Sequence, residues 1–273
     1  MRSPVHSRGV SLIELLIGIA VGLMVVVVAM VALMTSRGIS GTVSEATAMQ
    51  QQAAYAFRVI SGQIRQAGSL ELNLAPAIVP GADLNLAMAP VAFDPPDPAG
   101  AKAQFDRSTR TLNGSGTTTP SFTVGYQNYM EAVTPAAAPV TASLLRDCLG
   151  RNGAGNAVLT STFARDAATN ELVCTGAENN TSRAIIGNVT GMQVRYVAQA
   201  PGTTNLQYLS DPATVADWRN VYGVEVCLEL SGTEQVSTQS ATYTNCSGTA
   251  TSYGNRLKMV FRNVFNIRSQ GQL

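Results

Sequence analysis

The hydrophobic pattern divides the chain into a solid apolar run, a helical stripe and a body that alternates with a period of two. From Leu15 to Met34 the 20 residues LLIGIAVGLMVVVVAMVALM carry no charge and are nearly all aliphatic. As a helix rising about 1.5 Å per residue, the run extends roughly 30 Å, enough to cross the hydrocarbon core of a bilayer. Beyond it, Ile39, Val43, Ala46, Gln50, Ala53, Phe57, Ile60 and Ile64 alternate spacings of four and three, and all but Gln50 are apolar. That spacing is a helical stripe. Ser44, Glu45, Gln51, Gln52, Arg58, Ser61 and Arg65 occupy much of the remaining surface. No proline lies between Pro4 and Pro76, so one helix is predicted from Val10 to Ala67, about 87 Å long at the usual rise. Its first half is apolar all round, its second half is amphipathic, and Gly68 ends it. Gly18 and Gly22 form a G-x-x-x-G, read either as a point of close helix approach or as ordinary small residues of a membrane helix. Gly38 and Gly41 mark a softened joint at the exit.

After Gly68 the period changes. Met192, Val194 and Tyr196 share a face opposite Gln193 and Arg195. Tyr222, Val224, Val226, Leu228 and Leu230 oppose Gly223, Glu225, Cys227 and Glu229. Leu257, Met259, Phe261, Phe265 and Ile267 oppose Lys258, Arg262 and Arg268. Three strands with one apolar face each predict an antiparallel sheet covered on one side, with the helical stripe as its cover. Weaker strand patterns fall at 121–126, 157–164 and 171–175. The stretches 75–101, 111–120 and 132–142, rich in Pro, Ala, Thr or Gly, read as loops. Trp218 precedes the second strand in a short helical segment and is read as a core anchor. The fold class is therefore α+β, a long N-terminal helix packed on an antiparallel head domain with long loops.

Composition changes the picture in three ways. Charged residues make up 13% and hydrophobic ones 45%, so the body is rich in small, weakly polar residues. The formal net charge of +1 does not suggest a nucleic-acid-binding surface. The cysteines are Cys148, Cys174, Cys227 and Cys246, an even set beyond a membrane segment, which points to disulfides in an oxidising compartment. Three pairings are possible. Loop length favours Cys148 with Cys174 and Cys227 with Cys246, each contributing about 3 kcal/mol on the chain-entropy model. Cys227 lies on the polar face of its strand and can reach outward to a loop. A zinc site is the alternative, without C-x-x-C spacing or a nearby histidine to support it.

The start of the chain separates three readings of the apolar run. A secretory signal has an apolar region of roughly 7–15 residues and a small-x-small cut after it; this run is longer, leaving only a cut near Ala29 or Ala32. A plain signal anchor explains length and orientation, with the basic flank MRSPVHSRG cytoplasmic, but not the residues at its start. Those residues, Gly9-Val10-Ser11-Leu12-Ile13-Glu14-Leu15-Leu16, resemble the prepilin motif of type IV pilins and pseudopilins. The resemblance implies cleavage by the prepilin peptidase between Gly9 and Val10 and methylation of Val10, where the family usually has Phe. It also implies that Glu14 pairs with a neighbouring subunit's N-terminal amine during assembly. An acid in a membrane helix costs about 2.5–3.5 kcal/mol at its centre and less near the edge, where Glu14 sits. Such a pair offsets that cost only when subunits meet.

In the body, Asp147-Cys148-Leu149-Gly150, Asn170-Glu171-Leu172-Val173-Cys174 and Trp218-Arg219-Asn220-Val221 resemble PilW-type minor pilins, as does the helix end Arg65-Gln66-Ala67-Gly68. The expected organisation is a leader at 1–9, the membrane half of the helix at 10–34, its amphipathic half at 35–67 and a periplasmic head at 68–273. The implied role is that of a minor pilin taking part in priming and assembly of type IV pili at or near the tip. It would sit in the inner membrane and then in the pilus, with other minor and major pilins as partners through the helix. A pseudopilin of type II secretion and a tip subunit contacting surfaces or DNA are the alternatives.

Enzyme activity is not expected. The sole histidine, His6, lies in the leader, so the mature chain has none for a triad or general base. No P-loop or dinucleotide fingerprint occurs, and no cofactor or small-molecule substrate is expected. Asp94 and Asp97 in FDPPDP are read as a solvated turn, with calcium as the alternative. Without the leader, 16 basic residues face 17 acidic ones, a formal charge of −1, so any nucleic-acid contact has to be local. Replacing Gly9 with a bulky residue is expected to leave an unprocessed precursor. Mass spectrometry checks this, and a mature chain of normal length would reject the cut site.

Overall fold

The structure is a computed structural model that describes residues 9–73, 92–93, 105–133, 141–153, 158–178, 181–236 and 240–268. The leader residues 1–8 and the Asp94–Asp97 turn lie outside them. Helix α1 spans Leu12–Gln66, 55 residues with Ser11 as N-cap, unbroken through Gly38 and Gly41. It ends where expected: Ala67 N–H donates to Ile64 O at 3.2 Å, and Gly68 adopts φ 72, a left-handed turn that glycine enters without Cβ strain.

The strands follow in chain order. β1 (Leu72–Asn73) pairs with β2 (Ala92–Phe93). After a short helix at Arg107–Arg110 come β3 (Leu112–Ser115) and β4 (Ser121–Tyr126), then a small pair, β5 (Glu131–Ala132) with β6 (Thr141–Ala142). β7 (Leu159–Asp166), β8 (Glu171–Gly176) and β9 (Ser182–Ile186) complete a five-stranded antiparallel sheet ordered β3-β4-β7-β8-β9. Asn188, at φ 58, turns the chain into the second sheet. There β10 (Val189–Gln199), β11 (Leu206–Leu209), β12 (Val221–Gln235) and β15 (Arg256–Asn266) are ordered β11-β10-β12-β15. A hairpin of β13 (Thr242–Thr244) and β14 (Ala250–Ser252) lies between β12 and β15 in sequence.

One core joins α1 to both sheets. Met49, Ala53, Ala56, Ile60, Ile64 and Ala67 meet Phe122, Val124, Phe163 and Leu172 of one sheet and Val194, Val224, Val226, Leu228 and Phe265 of the other. Phe57 tilts against Phe265 with ring centroids 5.8 Å apart. The predicted stripe has the right period and the wrong centre. Ala53, Ile60 and Ile64 are buried as expected, whereas Val43 is 60% exposed and Gln50 faces solvent. Met49, Ala56 and Gln63 are buried in their place. Gln63 is inward because it is hydrogen-bonded there: its Oε1 accepts from Tyr126 OH at 3.1 Å and Ser161 Oγ at 2.9 Å. Its Nε2 donates to Arg146 O at 3.3 Å.

Two further expectations are corrected. The loop reading of 111–120 fails at β3, where Leu112 is buried and residues 112–115 pair with 121–124. The segment LNGS has little strand propensity of its own, so pairing with β4 decides its shape. Gly114 is required there, since a Cβ would lie 2.0 Å from Tyr196 OH. The second correction concerns the outer face of β12, which is covered rather than open. Glu225 and Cys227 are buried: Arg195 and Arg262 close on the Glu225 carboxylate at 2.6 and 3.6 Å, and Cys246, in the turn of the β13–β14 hairpin, bonds Cys227. Glu229 fixes the hairpin, accepting from Cys246 N at 2.8 Å and Tyr243 OH at 3.0 Å. Of the loop readings at 75–101 and 132–142, only residues 92–93, 132–133 and 141–142 are described. β2, β5 and β6 show strand there.

Trp218 opens a short 3-10 turn, Trp218–Asn220, and meets Tyr196 edge-on at 5.0 Å, the anchoring role read from the sequence. Ile60→Ala, which leaves a cavity under both sheets, is expected to cost about 2–5 kcal/mol of stability. Denaturant unfolding of the detergent-solubilised chain, followed by Trp218 fluorescence, measures it.

Candidate assembly interface

The residues singled out at the N-terminus lie on a free rod. Gly9 has nothing within 4 Å of where a Cβ would stand, and Val10 is 70% exposed. Ser11 caps the helix, its Oγ accepting from Glu14 N–H at 3.3 Å, so Glu14 stands at the third helical position of a Ser-x-x-Glu capping sequence. The spacing was present in the sequence, and reading Glu14 for its charge alone overlooked Ser11. The cap orders the first turn, and an acid there is favoured by the positive end of the helix dipole.

From Leu12 to Met34 the helix is long and apolar enough to cross a membrane, and none of it is buried within the chain. Leu15, Val21, Val25 and Met34 are between 57% and 73% exposed. Gly18 and Gly22 likewise face open space. No described residue covers this segment, which leaves an apolar surface of the kind that lipid or other helices cover.

The head grips the other end of the rod at two polar points. At the top is the Gln63 node, where Tyr126, Ser161 and Arg146 meet the helix. Ser161 Oγ also accepts from Cys148 N–H at 3.0 Å, beside the Cys148–Cys174 disulfide. Burial, and then the nearby Asp147 carboxylate, push the Tyr126 phenol well above its ordinary pKa, so it stays a neutral donor. At the bottom, Glu45 Oε1 accepts from Thr233 N–H at 2.6 Å, Thr233 Oγ1 at 2.9 Å and Glu234 N–H at 2.6 Å. Gly232 allows this approach, for a Cβ there would lie 2.3 Å from Glu45 Oε2. Desolvation raises the Glu45 pKa, but the hydrogen bonds from Glu234 and Thr233 and the charge of Arg256 outweigh it and hold the carboxyl below its ordinary 4.5.

The predicted site residues thus form two separate groups. Gly9, Val10 and Glu14 share the helix tip and touch no other element. The cysteines pair as loop length favoured, 148 with 174 and 227 with 246, and both bonds serve the head. Among the described residues no three of His, Cys, Asp and Glu gather as a metal site.

Comparison with known proteins bears on the head. The family model described as Type IV Pilus-assembly protein W matches residues 151–269, a region that contains the Asn170–Cys174 and Trp218–Val221 patches. No curated protein matches the chain. Among solved structures, a type IV-like pilin from Thermus thermophilus is 11% identical with a TM-score of 0.34, covering 59% of this chain and 84% of its own.

The Glu45 clamp has a definite pH signature. A carboxyl with a lowered folded-state pKa contributes stability above its ordinary value and loses that contribution as pH falls through the lowered one. Acidification through and below the ordinary glutamate range is therefore expected to release the Thr233 and Glu234 amides. Glu45→Gln is expected to weaken their protection at neutral pH and abolish its pH dependence. Amide exchange across a pH series measures both.

Proposed function

We propose that this type IV pilin-like chain, which carries PilW-family sequence over residues 151–269, is a minor pilin that takes part in priming and assembling type IV pili, at or near the tip. The observation that carries the reading is the bare apolar rod: Leu12–Met34 is wholly uncovered and starts three residues after Gly9, with Glu14 in its first turn. In this reading the peptidase removes residues 1–9 and Val10 becomes the methylated N-terminus. The membrane half of α1 then lies in the inner membrane, with the head outside it.

Glu14 makes the rod selective. Its capped position keeps the carboxylate in the layer of the new α-amine of a neighbouring subunit. A lone carboxylate in that layer is costly and a paired one less so, so the charge favours a subunit seated among others over one alone in lipid. The head contributes a fixed attachment, through Gln63 and Glu45, so that helix packing orients it outside the membrane. The PilW match favours the pilus over a type II secretion system as the assembly concerned.

Glu14→Val is expected to insert normally, keep both disulfides and fail to enter filaments. Comparison of the chain in the membrane and sheared-pilus fractions tests this. Undiminished Glu14→Val in sheared pili would reject the assembly role.

A further inference from the structure

We propose that a groove between α1 and the edge strand β15 receives an acidic segment of a neighbouring subunit. The proposal rests on the pilin reading and deepens it by naming the chemistry of a head contact. Among the described residues β15 has β12 on one side and no strand on the other. Its apolar face is interrupted by Asn263, which pairs with Val226 yet is exposed. Helix and strand part there and leave a groove of about 500 Å³.

Among the described residues, Arg58 and Arg65 from the helix and Arg268 from beyond the strand line the groove, and no acid does. All three are exposed, and none has an ion-pair partner among the described residues; Arg58 only overlies the Tyr55 ring at 5.6 Å. Four other head arginines are ion-paired, Arg195 and Arg262 with Glu225, Arg219 with Asp217 and Arg151 with Glu178. Phe57 and the 41%-exposed Val264 add an apolar wall. Charge complementarity therefore calls for carboxylates, and the wall for apolar side chains between them. Arg58 and Arg65 are seven residues apart, about 10 Å along the helix. Two carboxylates at that separation, some three residues of an extended segment, would engage both.

Other anionic occupants fit less well. Arg58 lies 24 residues past Met34, about 36 Å along the helix, beyond reach of lipid headgroups. A nucleic-acid backbone has no use for the apolar wall, and the mature chain's overall charge gives it no general attraction.

The test places a photoreactive p-benzoylphenylalanine at Ser61, in the groove, and separately at Val25, in the membrane half, in full-length chain in cells that assemble filaments. The Ser61 probe is expected to link to a pilin-like subunit on a peptide bearing two or more acids. Arg65→Glu/Arg268→Glu is expected to reduce that adduct about tenfold or more, with both disulfides still recovered by non-reducing peptide mapping. If the double reversal loses them, Arg65→Gln/Arg268→Gln provides the same comparison with less repulsion. An adduct that persists after charge removal, that falls on nucleic acid or on a peptide without acids, or that is absent at Ser61 while Val25 links neighbours would overturn the groove proposal alone. Absence of subunit adducts at both positions would overturn the pilin reading itself.

Discussion

The architecture turns on an apolar helix half that none of the described residues covers. Water is a poor solvent for Leu12–Met34, with about 25 cal/mol favouring removal of each Å² of apolar surface from it. The head spends none of its fold covering that half. One continuous helix therefore has a half that packs in the fold and a half that the fold leaves bare. Residues 49–67 build the core with both sheets, and in the proposed reading residues 12–34 are left for lipid or for other subunits. Glu14 and Ser11 stand at the far end of this rod, where a charge is tolerable in a membrane and a cap keeps it in register.

The division works mechanically because the docked half is held by directed bonds as well as by apolar packing. Ile60 and Ile64 would tolerate small slips of the helix against the sheets. The Gln63 hydrogen bonds with Tyr126, Ser161 and Arg146, and the Glu45 bonds to Thr233 and Glu234, would not. Two anchors 18 residues apart, about 27 Å along the helix, make helix and head a single lever. In the proposed assembly, packing of the membrane half would then determine where surfaces such as the arginine groove are presented.

Much of this was legible in the residues. Periodicity found α1 to within two residues at its start, because an unbroken run without proline leaves few alternatives. It also found β10, β12 and β15, whose alternation reflects an inner face under the helix. The short pieces escaped. β3 takes its form from β4, and the cover over Cys227 depends on a hairpin whose own sequence is polar. The stripe on α1 was misplaced because Gln63 is buried through its hydrogen-bond partners, which no local pattern reveals. At the candidate interface, Gly9, Val10 and Glu14 stood out by spacing. Ser11 was passed over although its cap is a local signal, and the groove needed the third dimension, since Arg58, Arg65 and Arg268 are distant in sequence.

The central claim is that the bare rod of a processed chain is covered by other subunits in a filament. Intact-mass and N-terminal analysis of the chain recovered from sheared pili tests it most directly. The account predicts a chain that begins at methylated Val10 and lacks residues 1–9. A chain confined to the membrane fraction, or one in filaments still carrying Met1–Gly9, would contradict it.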